Sequence, residues 1–133
     1  MIYVLLTACL AAADLVTKAL ARRDRRIKKI YNPGFSFGFL KEHPLIIKGI
    51  PTAVGILSAV KWMGAGKGIK KTACSMILAG AIGNTYERIK QGYVTDFINV
   101  PRGRIRTWFF NIADLCVAAG ATLMMIGELT DRE

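Results

Sequence analysis

The chain has 133 residues, enough for one compact domain but too few for two independent hydrophobic cores. Its hydrophobic fraction of 53% is high for a soluble protein of this size, and the apolar residues are clustered. A net charge of +10 is typical either of a nucleic-acid binder or of a membrane protein whose loops contact anionic headgroups. Because the basic residues are concentrated between the apolar clusters, at residues 22–29, 61–71 and 102–106, the sequence favours a membrane protein with no nucleic-acid partner.

The sequence gives little support for metal or disulfide chemistry. Cys9, Cys74 and Cys116 each lie inside an apolar stretch without CxxC spacing, which is typical of small buried hydrophobic residues. His43 is the only histidine, so a zinc site built from protein ligands is not expected. We expect neither a metal nor an organic cofactor.

Four stretches are candidate transmembrane helices. They cover residues 2–21, 45–63, 72–89 and 108–127, and each is close to the roughly 20 residues that cross a bilayer core. We therefore predict an all-α membrane protein in which residues 1–133 form a single integral-membrane domain with four transmembrane helices. The first stretch could be a cleaved secretory signal, but no basic segment precedes it, and we expect a retained helix.

Small residues at helical spacing predict close packing of these helices. Ser75, Ala79 and Gly83 form such a strip in the third stretch, and Gly49 with Ala53 forms one in the second. Strips of this kind let helix backbones approach closely in lipid. We assign them no chemistry.

The polar residues of the four stretches gather on one side of the membrane. With four crossings, the first and third helices end on the side where the second and fourth begin. The polar residues at these helix ends are Asp14, Lys18, Asn84, Glu87, Arg88, Asn111 and Asp114, and the loops on the same side add Asn32 and Asp96. Polar groups with scattered structural roles would not be expected to sort in this way.

Asp96 and Asp114 are the main candidates for chemistry. Asp114 begins the fourth apolar stretch, and an ionisable group at a bilayer boundary is a candidate functional residue because its burial is costly. Asp96 follows a short loop, and the two carboxylates could meet, share one proton and activate a water. The structural alternatives are an N-cap at Asp114, with Asn111 satisfying the same helix end, and a turn residue or partner of Arg88 at Asp96.

Two further segments carry unusual polar residues. Asp14 and Lys18 are four residues apart and can pair on one helix face, either to lower each other's insertion cost or to support a nearby site. Residues 32–39 begin with Asn32, Pro33 and Gly34 and continue with alternating phenylalanines. This pattern is typical of an interfacial loop or of a short curved sheet at the membrane surface.

Taken in chain order, these motifs resemble those of lipoprotein signal peptidase, the signal peptidase II family. They are Asp14-Leu15-Val16-Thr17-Lys18, Asn32-Pro33-Gly34 with Phe37-Gly38, Gly83-Asn84 through Arg88 and Gly92 to Asp96-Phe97, and Phe110-Asn111 with Ala113-Asp114. The resemblance covers residues 14–115, nearly the whole chain. It implies an intramembrane aspartyl endopeptidase of the bacterial inner membrane that removes the signal peptide of a diacylglyceryl-modified prolipoprotein, cutting before the lipidated cysteine.

By the same resemblance, Asp96 and Asp114 match the catalytic pair. The residues implied to bind substrate or to support the site are Asn32, Gly34, Asn84, Arg88, Asn111, Asp14, Lys18 and Glu87. The resemblance also implies cytoplasmic termini, an active site on the outer side and a small extracytoplasmic β-rich segment that includes residues 32–40. The family usually has Asp at the position of Glu87, so the longer side chain is expected to rearrange a contact there.

Charge alone predicts the opposite orientation. Residues 22–48 and 88–106 hold more Lys and Arg than residues 61–71, so the positive-inside rule puts the polar residues on the cytoplasmic side. We expect a monomer whose partners are the prolipoprotein substrate and membrane lipid.

Two other functions make different predictions. A non-catalytic small multi-pass membrane protein with structural aspartates predicts that Asp96→Asn and Asp114→Asn damage folding rather than chemistry. A soluble, basic nucleic-acid-binding domain predicts extraction without detergent and salt-sensitive binding.

Overall fold

The computed structural model of the chain describes residues 1–34, 42–103 and 106–131. Most of the curved sheet predicted over residues 32–40 lies outside these ranges. The described elements are α1 (Ile2–Arg23), β1 (Ile30–Asn32), α2 (Pro44–Gly64), α3 (Ile69–Gln91), β2 (Val94–Asp96), β3 (Ile98–Arg102), β4 (Arg106–Phe110) and α4 (Ile112–Thr130). The fold is mostly helical, as predicted, and the four short strands add two small antiparallel sheets to it.

The exterior of the helices is apolar. Among the described residues, α1 and α4 are long and apolar enough to cross a membrane by length and composition. Large apolar side chains are also exposed on α2 and α3, including Leu57 at 65% and Ile89 at 67% of their surface. Exposed apolar area on this scale is typical of a surface that contacts lipid or a partner.

Helix α3 lies at the centre of the fold and packs against α1, α2 and α4. The closest approach is to α4, where two glycines leave no room for a side chain. A Cβ atom at Gly80 would lie 2.5 Å from the carbonyl oxygen of Ala113, and one at Gly120 would lie 2.8 Å from that of Ala73. The two backbones are therefore in van der Waals contact, as in other small-residue helix interfaces.

The predicted packing strips have different outcomes. Ser75, Ala79 and Gly83 are all buried, so the strip in α3 is confirmed. The prediction for α2 is wrong: Gly49 and Ala53 are exposed, so they do not pack against another helix. Helix α2 presents another face to α3, on which Gly55 and Ser58 are buried; a Cβ atom at Gly55 would lie 3.2 Å from Ala81 Cβ.

The two sheets bring distant parts of the chain together at one end of the helices. Strands β1 and β2 pair antiparallel, with Asn32 opposite Val94. Strands β3 and β4 form a hairpin in which Ile98 is opposite Phe110, and Phe97 N donates to Phe110 O at 2.9 Å. Because the hairpin returns the chain to its starting point, it places the end of β2 beside the start of α4.

The fourth helix begins later than the sequence predicted. The apolar stretch was expected to be helical from about residue 108, but Trp108, Phe109 and Phe110 lie in β4 and the helix starts at Ile112. Aromatic residues favour strands, and an apolar run alone does not distinguish a strand from a helix. Asn111 separates the two elements as the N-cap of α4.

Candidate active site

Asp114 lies in the first turn of α4, where it forms a capping box with Asn111. The Asn111 side-chain oxygen accepts from Asp114 N at 2.9 Å, and Asp114 Oδ2 accepts from Asn111 N at 3.2 Å. The reciprocal bonds satisfy two backbone donors at the start of the helix. The structural alternative, in which Asp114 is the N-cap and Asn111 satisfies the same helix end, is right about the helix end but wrong about the position, because Asn111 is the N-cap and Asp114 is residue N3 of α4.

Asp96 ends β2 and is 3% exposed. Its Oδ1 accepts from Asn111 Nδ2 at 2.7 Å, and its Oδ2 accepts from Asn32 Nδ2 at 3.2 Å. Burial and, second, the charge of the neighbouring Asp114 raise the pKa of Asp96 to about 6, against the lowering effect of the two amides. The amide of Asn111 thus holds Asp96, while its oxygen holds the start of the helix that bears Asp114.

The loop after β1 is fixed to the same site. Asn32 Oδ1 accepts from Gly34 N at 3.0 Å, which closes a tight turn. The carbonyl of Gly34 accepts from Arg88 Nη2 at 2.9 Å. Arg88 is 5% exposed, and its charge acts on both aspartates, Asp96 and Asp114. The structure thus brings these three predicted residues beside the two carboxylates.

Lys18 orients an amide toward Asp114. Its ammonium donates to Asp14 Oδ2 at 2.6 Å and to Asn84 Oδ1 at 2.8 Å, and the lysine is 0% exposed. Since an ammonium can only donate, the oxygen of Asn84 must face Lys18 and its NH₂ group must face away. That NH₂ group donates to Asp114 Oδ1 at 2.9 Å.

Asp14 has two roles of its own. It pairs with Lys18, as their four-residue spacing predicted, and both side chains are buried. Its other oxygen, Oδ1, accepts from Ala113 N at 2.8 Å and so caps a third backbone donor of α4. Asp14 therefore both forms an ion pair with Lys18 and supports the helix that bears Asp114.

Glu87 lies on the other side of Lys18 and faces β2. Its Oε2 is 3.7 Å from Lys18 Nζ and accepts from Thr95 N at 2.8 Å. Arg22, on the last turn of α1, donates to Glu87 Oε1 and, at 3.2 Å, to Thr95 Oγ1. Glu87 is thus bonded to the strand that ends in Asp96.

Two residues of this network, Arg22 and Thr95, were not predicted from the sequence. Arg22 continues the four-residue spacing of Asp14 and Lys18 along one face of α1, and this spacing could have indicated it. For Thr95, which is 0% exposed, we find no signal in the sequence beyond its place next to Asp96.

A cavity of about 550 Å³ opens beside Asp114, between α2, α3 and α4. One end is polar and includes Asn84, Arg88 and Asp114. The remaining walls are mainly apolar, and their residues include Ile50, Pro51, Val54, Leu115, Val117 and Ala118. An extended apolar chain could lie along these walls and end at the carboxylate of Asp114.

Comparison with known proteins identifies the family. A family model described as signal peptidase (SPase) II matches residues 6–130, nearly the entire chain. The chain belongs to the signal peptidase II family. The resemblance noted on the motifs is thereby confirmed.

Curated relatives in this family are named lipoprotein signal peptidases. The protein from Pseudoalteromonas translucida is 32% identical, over a match that covers 95% of this chain and 84% of that protein. Those from Janthinobacterium sp. and Moorella thermoacetica are 37% and 30% identical over 75% and 71% of this chain. The matched segments span 64% and 62% of these two relatives, just under two thirds of their length.

Solved structures share the fold of this signal peptidase II chain. Two structures titled as bacterial membrane enzymes superpose with TM-scores of 0.86 and 0.84, each at 24% identity. The first covers 98% of this chain and 89% of its own chain, and the second 97% and 93%. The described helices and sheets therefore follow the architecture of a known membrane enzyme.

Proposed function

We propose that this chain is an aspartyl endopeptidase that removes the signal peptide from diacylglyceryl-modified prolipoproteins by cutting before the lipidated cysteine. The observation that supports this most directly is the joining of Asp96 and Asp114 through Asn111. Family membership supports the reaction, and the cavity supports the kind of substrate. The polar end of the cavity would receive the scissile bond, and its apolar walls would receive the signal peptide.

In the proposed mechanism the two aspartates hold one proton between them. The network joins four carboxylates and three cations: Asp14, Glu87, Asp96 and Asp114 with Lys18, Arg22 and Arg88. One shared proton makes the sum of these charges zero. A neutral sum is favourable in a poorly hydrated site, where an uncompensated charge is costly.

The chemical steps follow from that single proton. The ionised carboxylate takes a proton from a water, and the water oxygen attacks the carbonyl carbon of the scissile bond. The protonated carboxyl donates to the developing oxyanion; a proton then passes to the nitrogen of the scissile bond, the C–N bond breaks, and the lipidated cysteine leaves with a free amine. The pair is regenerated when the product acid has left.

We further propose that all four helices cross the bacterial inner membrane, that the chain acts as a monomer, and that both aspartates face the outer side. The exposed apolar side chains on each helix support the four crossings. The substrate's acyl chains would remain in the surrounding lipid, which brings the cleavage site to the membrane surface. In this arrangement the enzyme's partners are the prolipoprotein and the membrane lipid itself.

Cleavage of a diacylglyceryl-modified prolipoprotein by the purified, detergent-solubilised chain tests the function. We expect the wild type to cut before the lipidated cysteine, and Asp96→Asn and Asp114→Asn each to lower kcat at least about 10²-fold. Both variants keep a side-chain oxygen that can accept the bond from Asn111, but the new NH₂ group faces the donor amide of Asn32 in Asp96→Asn and of Asn84 in Asp114→Asn, so folding has to be measured. A melting temperature measured in the same detergent provides that control.

The outcomes separate the peptidase from a non-catalytic membrane protein. The hydrogen bonds of Asp96 and Asp114 have structural value in themselves, which is the observation that favours the second function. That function predicts no cleavage by a folded wild type, together with a lower melting temperature in both variants. Cleavage that survives both substitutions would show that other residues perform the reaction.

A further inference from the structure

We propose that Arg22, Glu87 and Thr95 form a clamp that positions Asp96 for the reaction. None of the three touches the reacting atoms; each acts through β2. The effect on catalysis rests on the proposed function, whereas the effect on β2 does not.

The clamp connects three elements by hydrogen bonds around one carboxylate. Glu87 Oε2 accepts from Thr95 N at 2.8 Å, and Glu87 Oε1 accepts from Thr95 Oγ1 at 3.2 Å. Arg22 Nη1 donates to the same Oε1 and to Thr95 Oγ1. Gln91, one turn after Glu87 on α3, donates to Oε1 at 2.9 Å. The C-terminal end of α1, the C-terminal end of α3 and the backbone of β2 are thus held together.

The position of Asp96 depends on this clamp because β2 is short. The strand has three residues and pairs with β1 on one edge, with Tyr31 opposite Thr95. In an antiparallel pair the backbone donors alternate between the two edges of a strand. The N–H of Thr95 bonds to Glu87, so the clamp holds the edge that β1 does not. With both edges held, the carboxylate of Asp96 is fixed one residue later.

Glutamate has the reach that this arrangement needs. The Glu87 carboxylate contacts Lys18 and Arg22 on α1 and, at the same time, both the backbone N–H and the hydroxyl of Thr95. Aspartate, which the resemblance implies for this position, is shorter by one methylene. In this chain we infer that the longer acid, the arginine and the threonine hydroxyl work as a set, so that restoring aspartate alone would break it.

The position of Asp96 has a measurable consequence. Its raised pKa results first from burial, so a strand that opens more often admits water and lowers that pKa. Glu87→Asp keeps the negative charge and therefore separates reach from charge. Arg22→Met removes the arginine bonds. Arg23→Met is the matched control, because it removes an exposed arginine at the next position of the same helix.

Amide hydrogen exchange of the full chain in mild detergent tests the clamp without relying on activity. For the segment of residues 93–97 we expect exchange to accelerate about tenfold or more in E87D and R22M, and to be unchanged in R23M. Segments within α4 serve as the internal reference and should keep their wild-type rates in all variants. Unchanged exchange at residues 93–97 in folded E87D and R22M would overturn the proposal.

Kinetics on the lipidated substrate supply the second readout. In E87D and R22M we expect kcat to fall about tenfold with KM within twofold, and in E87D, which keeps every charge of the network, we expect the acid limb of the kcat/KM profile to move to lower pH. A loss of folded protein alone would lower the apparent kcat but would leave that limb in place, and this result would also overturn the clamp. If the wild type cuts nothing, the proposed function fails, while hydrogen exchange still decides the clamp.

A third variant covers the case in which E87D and R22M do not fold. Thr95→Val removes the hydroxyl that Arg22 and Glu87 share and keeps the backbone bond to Glu87. We expect a smaller acceleration of exchange in residues 93–97, about threefold. Wild-type exchange in T95V would then contradict the proposal.

Discussion

Asp96 shows how burial and charge act on one carboxyl group. It is nearly inaccessible to solvent, and its two amide partners favour the ionised form, yet burial and the neighbouring Asp114 outweigh them. The result is a pKa of about 6 rather than 3.8. A carboxyl group in this range can hold or release a proton near neutral pH, as an acid–base catalyst must.

The same pKa makes stability depend on pH. Because the folded pKa lies above 3.8, native Asp96 binds more protons than the unfolded chain between about pH 4 and 6, so its contribution to the free energy of unfolding is lost as pH rises through 6. The difference corresponds to about 3 kcal/mol. The free energy of unfolding can be measured in mild detergent at pH 4 and at pH 7. Between pH 4 and pH 7 the wild type should lose about this much more of it than Asp96→Asn loses.

The comparison between the two proteins cancels the titration of groups that do not interact with Asp96. Glu42 is exposed, so Glu42→Gln removes a carboxylate without affecting the network and is the matched control. E42Q should retain the pH dependence of the wild type. Equal pH dependence in the wild type and D96N would contradict the raised pKa.

Residue identity could be predicted where a short motif fixes it. Asn111 and Asp114 are three residues apart at the start of an apolar run, and this spacing predicts a capping arrangement from local sequence alone. The bond from Asn84 to Asp114 depends on the orientation that Lys18 imposes from another helix. Local sequence does not contain that information, and neither does it contain the contact between Thr95 and Glu87.

The interface between helices α3 and α4 determines where Asp114 lies relative to Asn84. Gly80 and Gly120 permit the backbones of the two helices to touch, since any side chain there would meet a carbonyl oxygen of the other helix. The sequence predicted a small-residue strip on α3, but it did not indicate which residues of α3 would lie against Gly120. Only the fold shows which residue on α4 faces Ala73 and Ile77.

A matched pair of glycine substitutions tests this interface. Gly120→Ala adds a methyl group 2.7 Å from Ile77 Cγ1 and 2.8 Å from Ala73 O, and we expect it to destabilise the protein by about 1–3 kcal/mol. At Gly49 in α2, nothing lies within 4 Å, so Gly49→Ala should be neutral or stabilising by up to about 1 kcal/mol. Melting temperatures in one detergent compare the two.

One outcome would contradict this prediction. If G120A is as stable as G49A, the two helices are farther apart than described, or they separate at little cost. Retention of cleavage activity by folded G120A at low temperature would agree with its position away from the polar end of the cavity.

The boundary of α4 shows the limit of prediction for an element. An apolar stretch of the right length predicted a helix from about residue 108, yet its first part pairs with β3. Hydrogen bonding between strands is non-local, and an apolar composition permits either structure. Asn111, a residue type that favours the N-cap position, marks the start of α4.

Across the four helices, the sorting of polar residues to one end was predictable from the four predicted crossings. If four helices cross in series, the first and third end on the side where the second and fourth begin. This alone predicts that Asp14, Asn84 and Asp114 lie on one side. In the structure these three residues are joined through Lys18 and Asn84. The sidedness itself does not follow, because the positive-inside count and the family resemblance predict opposite orientations.

Labelling of single cysteines resolves the orientation. In a background with the exposed Cys9 replaced by serine, Arg25→Cys reports the end that holds the aspartates and Lys67→Cys reports the opposite end; both positions are exposed. If the aspartates face the outer side, a membrane-impermeant maleimide added to intact cells or spheroplasts modifies R25C, and modifies K67C only after permeabilisation. The reverse pattern would agree with the positive-inside count and would contradict the proposed function.

The capping box has a further consequence for how the protein binds a substrate. Asp114 and Asn111 lose their rotational freedom when α4 forms, since the same bonds that begin the helix fix both side chains. The entropy of ordering them is therefore lost during folding and need not be lost again when a peptide arrives. A ligand that engages these residues would meet groups already in place, and its affinity would be limited mainly by the ordering of its own flexible chain.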